Sequence, residues 1–328
     1  MAYYSIFPEI DSTLYSHPDR TLMNTGKDEI LELVKERGST NSRHYSSRIL
    51  IKFKNEEIKS VISNTIGHIK WQDGTSKVNL QLITTEPKDI TSILNIEAFA
   101  VSQSWHEGSG RYSNLPTSSN GVTWKYRDNS TTQSPWPTSS FQAGTTGSIL
   151  SGSGLEKGGG SWYTGSGFTA TQQFFSVDTH TIYPPKLTFK WDDSSYITSS
   201  NATLLNNGEL NVSLYRNKQE FNQNDEALLR INVRDKYPTR TFSTTSNYLN
   251  VGYFTKTSYY SIRDAYTEEE VIPFDDNFTK ISADAEGMYF KIYMKGLQPE
   301  RYYRILFKHI NSDGTTIYDN DYYFKVVR

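Results

Sequence analysis

Apolar and polar positions alternate with a period of two along much of this chain of 328 residues, and a helical period intervenes at one place. The cleanest alternation is Ser47 to Phe53, with Ile49, Ile51 and Phe53 on one face and Arg48, Leu50 and Lys52 on the other. Successive strand side chains face opposite sides of a sheet, so this pattern predicts a strand. Residues 1 to about 25 read as an extended lead-in and a first strand, closed by the turn residues Asn24, Thr25 and Gly26. Ile30 to Val34 fits helix or strand on its own pattern. Asn55 to Ser63 is the helical stretch: Ile58, Val61 and Ile62 fall at i, i+3 and i+4, Asn55 is placed to cap, and Glu56 and Glu57 suit a first turn. One or two turns lying over an open end of a sandwich are predicted.

Asp73-Gly74, between "HIKW" and "KVNLQLI", predicts a hairpin with a strand on either side. Ile93, Asn95, Glu97 and Phe99 oppose Leu94, Ile96 and Ala98 in a further predicted strand, and Leu187, Phe189 and Trp191 alternate in another. The polar run Ile197–Glu209 holds an Asn207-Gly208 turn pair, and beyond it strand-like segments recur with turn clusters between them, from "ELNVSLY" to "DYYFKVVR". The organisation predicted is all-β: a sandwich over 1–196, a linker over 197–209 and an Ig-like sandwich over 210–328.

Composition reinforces this picture. Tyr (23) and Phe (16) supply the bulk that suits a pleated, half-buried surface. Cys is absent, which excludes disulfides and thiolate metal sites. A net charge of -2 offers no basic stripe for nucleic acid. The opening "MAYYSIFPEIDS" lacks the basic head and apolar core of an export signal, and an apolar run long enough to span a membrane is missing, so neither export by that route nor a membrane span is expected.

The region from about Gly108 to Gly167 is rich in Gly, Ser and Thr, a composition usual in linkers, yet it and its flank carry Trp105, Trp124, Trp136, Trp162 and Tyr163. Large aromatics must be buried or bind something. Trp124, between Val122 and Tyr126 in an apparent strand, is read as core. Trp136, between Pro135 and Pro137, and Trp162 are read as exposed, and together with Tyr163, Tyr112 and Trp105 they are candidate contacts for a glycan or a protein partner, since sugars stack on such rings with polar groups at the rim.

Catalytic patterns are weak. Trp105-His106-Glu107 opens like a zincin helix, but Gly110 stands where the second His belongs. "GSGLEKGGG" lacks the Lys-Ser/Thr of a phosphate loop, and adjacent acids such as Asp192-Asp193 would face opposite sides of a strand, which suits turns better than a glycosidase pair. No cofactor is expected, and the reading is non-enzymatic.

Four phrases taken in order, "PEIDSTLYS…NTGKDEILELVKERG", "SRHYSSRILIKF", "AVSQSWHEGSGRYSNLPTSSNGVTWKYRD" and "YPPKLTFKWDDSSY", resemble the DNRLRE-type domain over about residues 8–196. The resemblance implies a jelly-roll-like β-sandwich with long loops gathered at one end, and makes Ile30–Val34 a strand. Such domains build virion parts in tailed phages and bind polysaccharide in some bacteria. Leu297, Pro299 and Tyr303 are similar to the tyrosine corner of fibronectin type III domains, in which the hydroxyl returns to backbone just upstream. The pairing of the two looks like marine-phage proteins of the tail, neck, baseplate or a decorating appendage. The partners implied are other virion proteins and further copies of the chain, in a virion assembled in a bacterial cytoplasm; contact with host surface polysaccharide is the alternative.

Overall fold

The structure is a computed structural model and describes residues 2–37, 44–67, 71–85, 96, 98–101, 103–112, 120–130, 132–136, 170–198, 202–206, 209–215, 218–238 and 252–328. It is an all-β protein, as the period-two patterns predict. The chain groups into two compact units, one formed by residues 7–55 and 80–186, the other by 1–6, 56–79 and 187–328. Residues 187–196 and the segment 197–209, read from sequence as the end of a first domain and a linker, thus group with 210–328.

In the smaller unit, β2 (Ile10–Tyr15), β4 (His44–Lys52), β3 (Ile30–Arg37) and β8 (Ala170–Phe175) form an antiparallel sheet in that order. The ambiguous 30–34 run is strand because each of its residues pairs with β8, with Leu31 opposite Phe174 and fully buried, while β4 pairs with β3 at Lys35–Arg37. On β4 it is Leu50, on the same face as Arg48, that is fully buried, and Ile49 and Ile51 are half-buried. Leu50 joins Leu14, Trp105, Val122 and Trp136 in a small core. A short pair, β6 (Tyr126–Asp128) with β7 (Ser134–Pro135), follows.

Among the described residues the larger unit holds three sheets. β1 (Ala2–Ile6), β9 (Lys186–Trp191) and β5 (Lys77–Gln81) make one, with β9 central. A second runs β10 (Thr203–Leu204), β14 (Gly252–Tyr253), β13 (Glu226–Asp235), β18 (Gly287–Tyr293), β17 (Ser282–Asp284), with β11 (Leu210–Tyr215) also on β13. A third runs β12 (Glu220–Asn222), β20 (Gly314–Val327), β19 (Arg301–Asn311), β15 (Ser258–Asp264), β16 (Glu270–Ile272). Alternate residues of the last two sheets share one core, among them Val212, Leu229, Ile231, Ile262, Phe307 and Phe324, which is how two sheets are held as a sandwich. Tyr260 stacks on Phe290 with ring centroids 4.6 Å apart. Tyr303 is buried and its hydroxyl donates to Gln298 O at 2.8 Å, the return to backbone of a tyrosine corner. Leu297 of that motif is buried and Pro299 half-buried. Tyr3 of β1 belongs to the same core, and Gly296 lies so close to the Tyr4–Ser5 backbone that a Cβ there would be crowded.

Helix α1 (Asn55–Ser60) continues into a π-helical segment, Val61–Ile66, and Gly67 at φ +85° ends it. Asn55, read as a cap, is the first helical residue. Glu57 accepts from the Tyr4 hydroxyl at 3.0 Å.

Two expected elements are corrected. Trp71 and Gln72 are helical, not strand, and β5 lies in the sheet beside β9, not in a hairpin. Asp73 does make a turn, accepting from Thr75 N at 2.8 Å, but Trp71 packs against Phe189 at 6.1 Å, and these long-range contacts outweigh the local signal. In the strand read over Ile93–Phe99, Ile96, Ala98 and Phe99 are unpaired, with Ile96 54% and Phe99 50% exposed; its other members lie outside the described residues.

Candidate functional site

The loops at one end of the smaller unit are organised around Asn24, which is fully buried. Its amide donates to Glu107 O at 2.6 Å and Val122 O at 2.8 Å, and its carbonyl accepts from Gly110 N at 2.8 Å and Gly26 N at 3.3 Å. Only a primary amide offers both donors and an acceptor in so small a space. The glycines are there because backbone comes close: a Cβ on Gly26, Gly108, Gly110 or Gly121 would overlap Asn24 or the backbone of Glu107 or Gly108. Gly108 and Gly121 in addition hold φ of +83° and +81°, which side chains disfavour. The glycines at 108, 110 and 121 therefore serve close packing.

Behind this junction stand the tryptophans. Trp136, expected exposed, is 1% exposed: its indole N–H donates to Thr123 O at 3.0 Å and its backbone N–H to Lys125 O at 3.4 Å, which hold the ring inward. Trp124, expected to be a core residue in a strand, sits on a bend and is half-buried at the edge of the same cluster, with the Arg48 guanidinium 4.8 Å from its ring. Trp105 is 8% exposed and packs in the core. Tyr112 is 46% exposed, its ring edge-on to Tyr15 at 5.8 Å and its hydroxyl within 3.4 Å of Arg20 Nη1. Trp162 and Tyr163 lie outside the described residues. The aromatic candidates are thus divided between a core and a surface position and are not gathered into one platform.

On the surface over the junction lies an open cleft of about 450 Å³ lined by Ile10, Lys52, Trp105, His106, Glu107, Gly108, Ser109 and Asn120. Several of its polar groups are engaged, while the buried Glu107 Oε1 has no hydrogen-bond partner. Ser109 N and Oγ reach Asn120 Oδ1 at 3.2 Å, Lys52 pairs with Glu9 at 3.4 Å, and Glu107 Oε2 receives Lys27 Nζ at 2.6 Å.

Lys27 also reaches Asp178 at 3.4 Å, which joins the cleft wall to a buried acid. Asp11, 1% exposed, accepts from Ser176 Oγ at 3.0 Å and from Val177 N at 2.7 Å, and Ser176 Oγ accepts in turn from Asp178 N at 3.0 Å. Burial pushes the Asp11 carboxyl up to about 7 against these hydrogen bonds, with the charges of Asp178 and Glu107 adding to the rise. Burial also raises Glu107 above the usual carboxylate range, opposed by Lys27. For Lys27 burial acts downward, but its bonds to Glu107 and Asp178 prevail and hold it above its ordinary value.

Asn24 escaped sequence reasoning because Asn-Thr-Gly reads as an ordinary turn; the signal was the glycine spacing at 108, 110 and 121, which implies something packed against it. Asp11 and Lys27 carried no signal, since their partners are distant in sequence. Asp192 accepts from Ser194 N at 2.8 Å, a turn role. Among the described residues no group of three or more His, Asp or Glu is arranged to hold a metal ion, and no helix is long and apolar enough to cross a membrane. Comparison with family models, curated proteins and solved structures finds no match to this chain.

Proposed function

We propose that the chain is a non-enzymatic structural protein of a tailed-phage virion, sited in the tail, neck, baseplate or an appendage and acting by docking to other virion proteins in repeated copies. The observation that supports this reading is how the chemically able side chains are used: Asn24, Ser109, Asn120, Glu107 and Lys27 fasten loops to one another around a junction beside an open cleft. Such a unit is a rigid support for contacts. Repetition on a symmetric particle would let weak contacts act together, adding ~10² to 10⁴ in avidity. The order of the four sequence phrases supplies the phage context. The test is to produce the chain with an epitope tag in infected cells and band the particles on a density gradient. Co-migration with infectious particles is expected, and a chain left wholly in the soluble fraction overturns the proposal.

Contact with host polysaccharide is the second reading, favoured by the exposed ring of Tyr112 and by the Trp105 wall of the cleft beside Ser109 and Asn120. A saturable change in tryptophan fluorescence with bacterial surface polysaccharide, lost in Tyr112→Ala or Asn120→Ala, is its signature.

A further inference from the structure

The four charged groups beneath the cleft come from four separate places in the chain: Asp11 from β2, Lys27 from the turn that follows Asn24, Glu107 from the cleft wall and Asp178 from the turn after β8. They hold three carboxylates to one ammonium. Lys27 spans Glu107 at 2.6 Å and Asp178 at 3.4 Å, while Asp11 has Ser176 Oγ and Val177 N on its two oxygens. Of the other charged groups near by, Glu9 pairs with Lys52 at 3.4 Å, Glu29 lies 3.7 Å from the His180 ring, an ion pair only when that ring is protonated, and Asp28, with the Arg111 charge close to it, accepts from Tyr112 N at 3.0 Å. An ionised Asp11 would therefore be a third negative charge, out of water, facing two others with one cation among them. Protonated, the same carboxyl still accepts from Val177 N, and the Ser176 hydroxyl can turn to accept from it.

We propose that Asp11, Glu107, Asp178 and Lys27 form a proton-controlled clasp that holds the 105–110 wall of the cleft to β2 and to the 176–178 turn, tight while Asp11 keeps its proton and looser once it is charged. This is a regulatory property of the fold and stands whichever docking partner the unit has. The direction follows from linkage. The folded carboxyl binds its proton more tightly than the unfolded one, so its stabilisation is complete below the ordinary Asp range and is lost as pH rises towards neutrality. Where the open form has released the proton and the closed form has not, the opening equilibrium rises about tenfold per pH unit.

The test is amide hydrogen exchange of the full chain between pH 5 and 8, corrected for the intrinsic pH dependence and read on residues 105–110 and 176–178. In the native protein, protection there is expected to fall about tenfold per unit up to neutrality and then level off, while amides of β19 lack this trend. Asp11→Asn, which keeps the shape and removes the ionisation, should flatten it. Glu107→Gln, which removes one facing negative charge, should move the levelling point to lower pH. A native profile that is flat, or a slope that persists unchanged in Asp11→Asn, overturns the proposal; if Asp11→Asn does not fold, an unmoved profile in Glu107→Gln does so.

Discussion

His309 shows how one side chain can set a pH dependence. It is fully buried on β19, with Thr255 N at 3.4 Å and Thr255 Oγ1 at 3.0 Å from Nε2, Nδ1 without a hydrogen-bond partner, and its ring 4.4 Å from that of Phe254. Burial lowers its pKa from 6.5 to about 4. The unfolded chain takes up a proton near 6.5 that the folded chain refuses until about 4, so stability is full above that window and falls as pH drops through it. The whole loss is of order 3 kcal/mol. Denaturant midpoints between pH 7 and 4, followed by exchange of β19 amides, should decline in the native protein and decline less in His309→Phe. An equal decline in both would remove His309 as the cause. None of this was legible in the sequence, where His309 is one polar letter in an alternating strand. The same limit applies to Trp124 and Trp136: their flanking residues suggested core and surface respectively, and hydrogen bonds to Thr123 and Lys125 decide otherwise for Trp136.

At the level of elements, alternation located strands well wherever one face is buried by a neighbouring sheet, as in β11, β13, β18 and β19. It failed where a local turn signal competed with long-range packing, as at Asp73-Gly74. The Asn24 junction is an element of another kind, a set of loops without regular structure whose geometry rests on glycine. Gly108→Ala and Gly121→Ala are each expected to lower stability by ~1–3 kcal/mol, from a strained positive φ combined with overlap on Asn24 or on neighbouring backbone. Gly74→Ala, also at positive φ but with open space around it, should cost less than either. Thermal unfolding of the three variants ranks them, and an equal loss in all three would mean that φ alone, not the close approach, matters.

For the molecule as a whole, the two compact units alternate along the chain. The pattern of strands gave the all-β class, yet pairing between the chain's opening residues and positions near 190 leaves no trace in periodicity, and so the grouping of 1–6 with 187–328 could not be read. Residues 2–6 are buried and pair along their length with Leu187–Trp191, and Tyr3 reaches the core of the sandwich. Deleting residues 1–6 should therefore lower the unfolding temperature of the larger unit by several degrees or more, although the deletion leaves all of 187–328 intact. Calorimetry in which that transition is unmoved would contradict the pairing.

The same pairing has a consequence for how the protein is made. β1 leaves the ribosome well before its partner β9 and the core it closes are made, so a buried strand with adjacent tyrosines must wait unsatisfied in the interval. Domains made in one continuous stretch can fold as they emerge; this unit cannot. Its yield in a cell is then governed by what shelters β1 in the interval, and slowing translation should bring no benefit until the sandwich strands have been released.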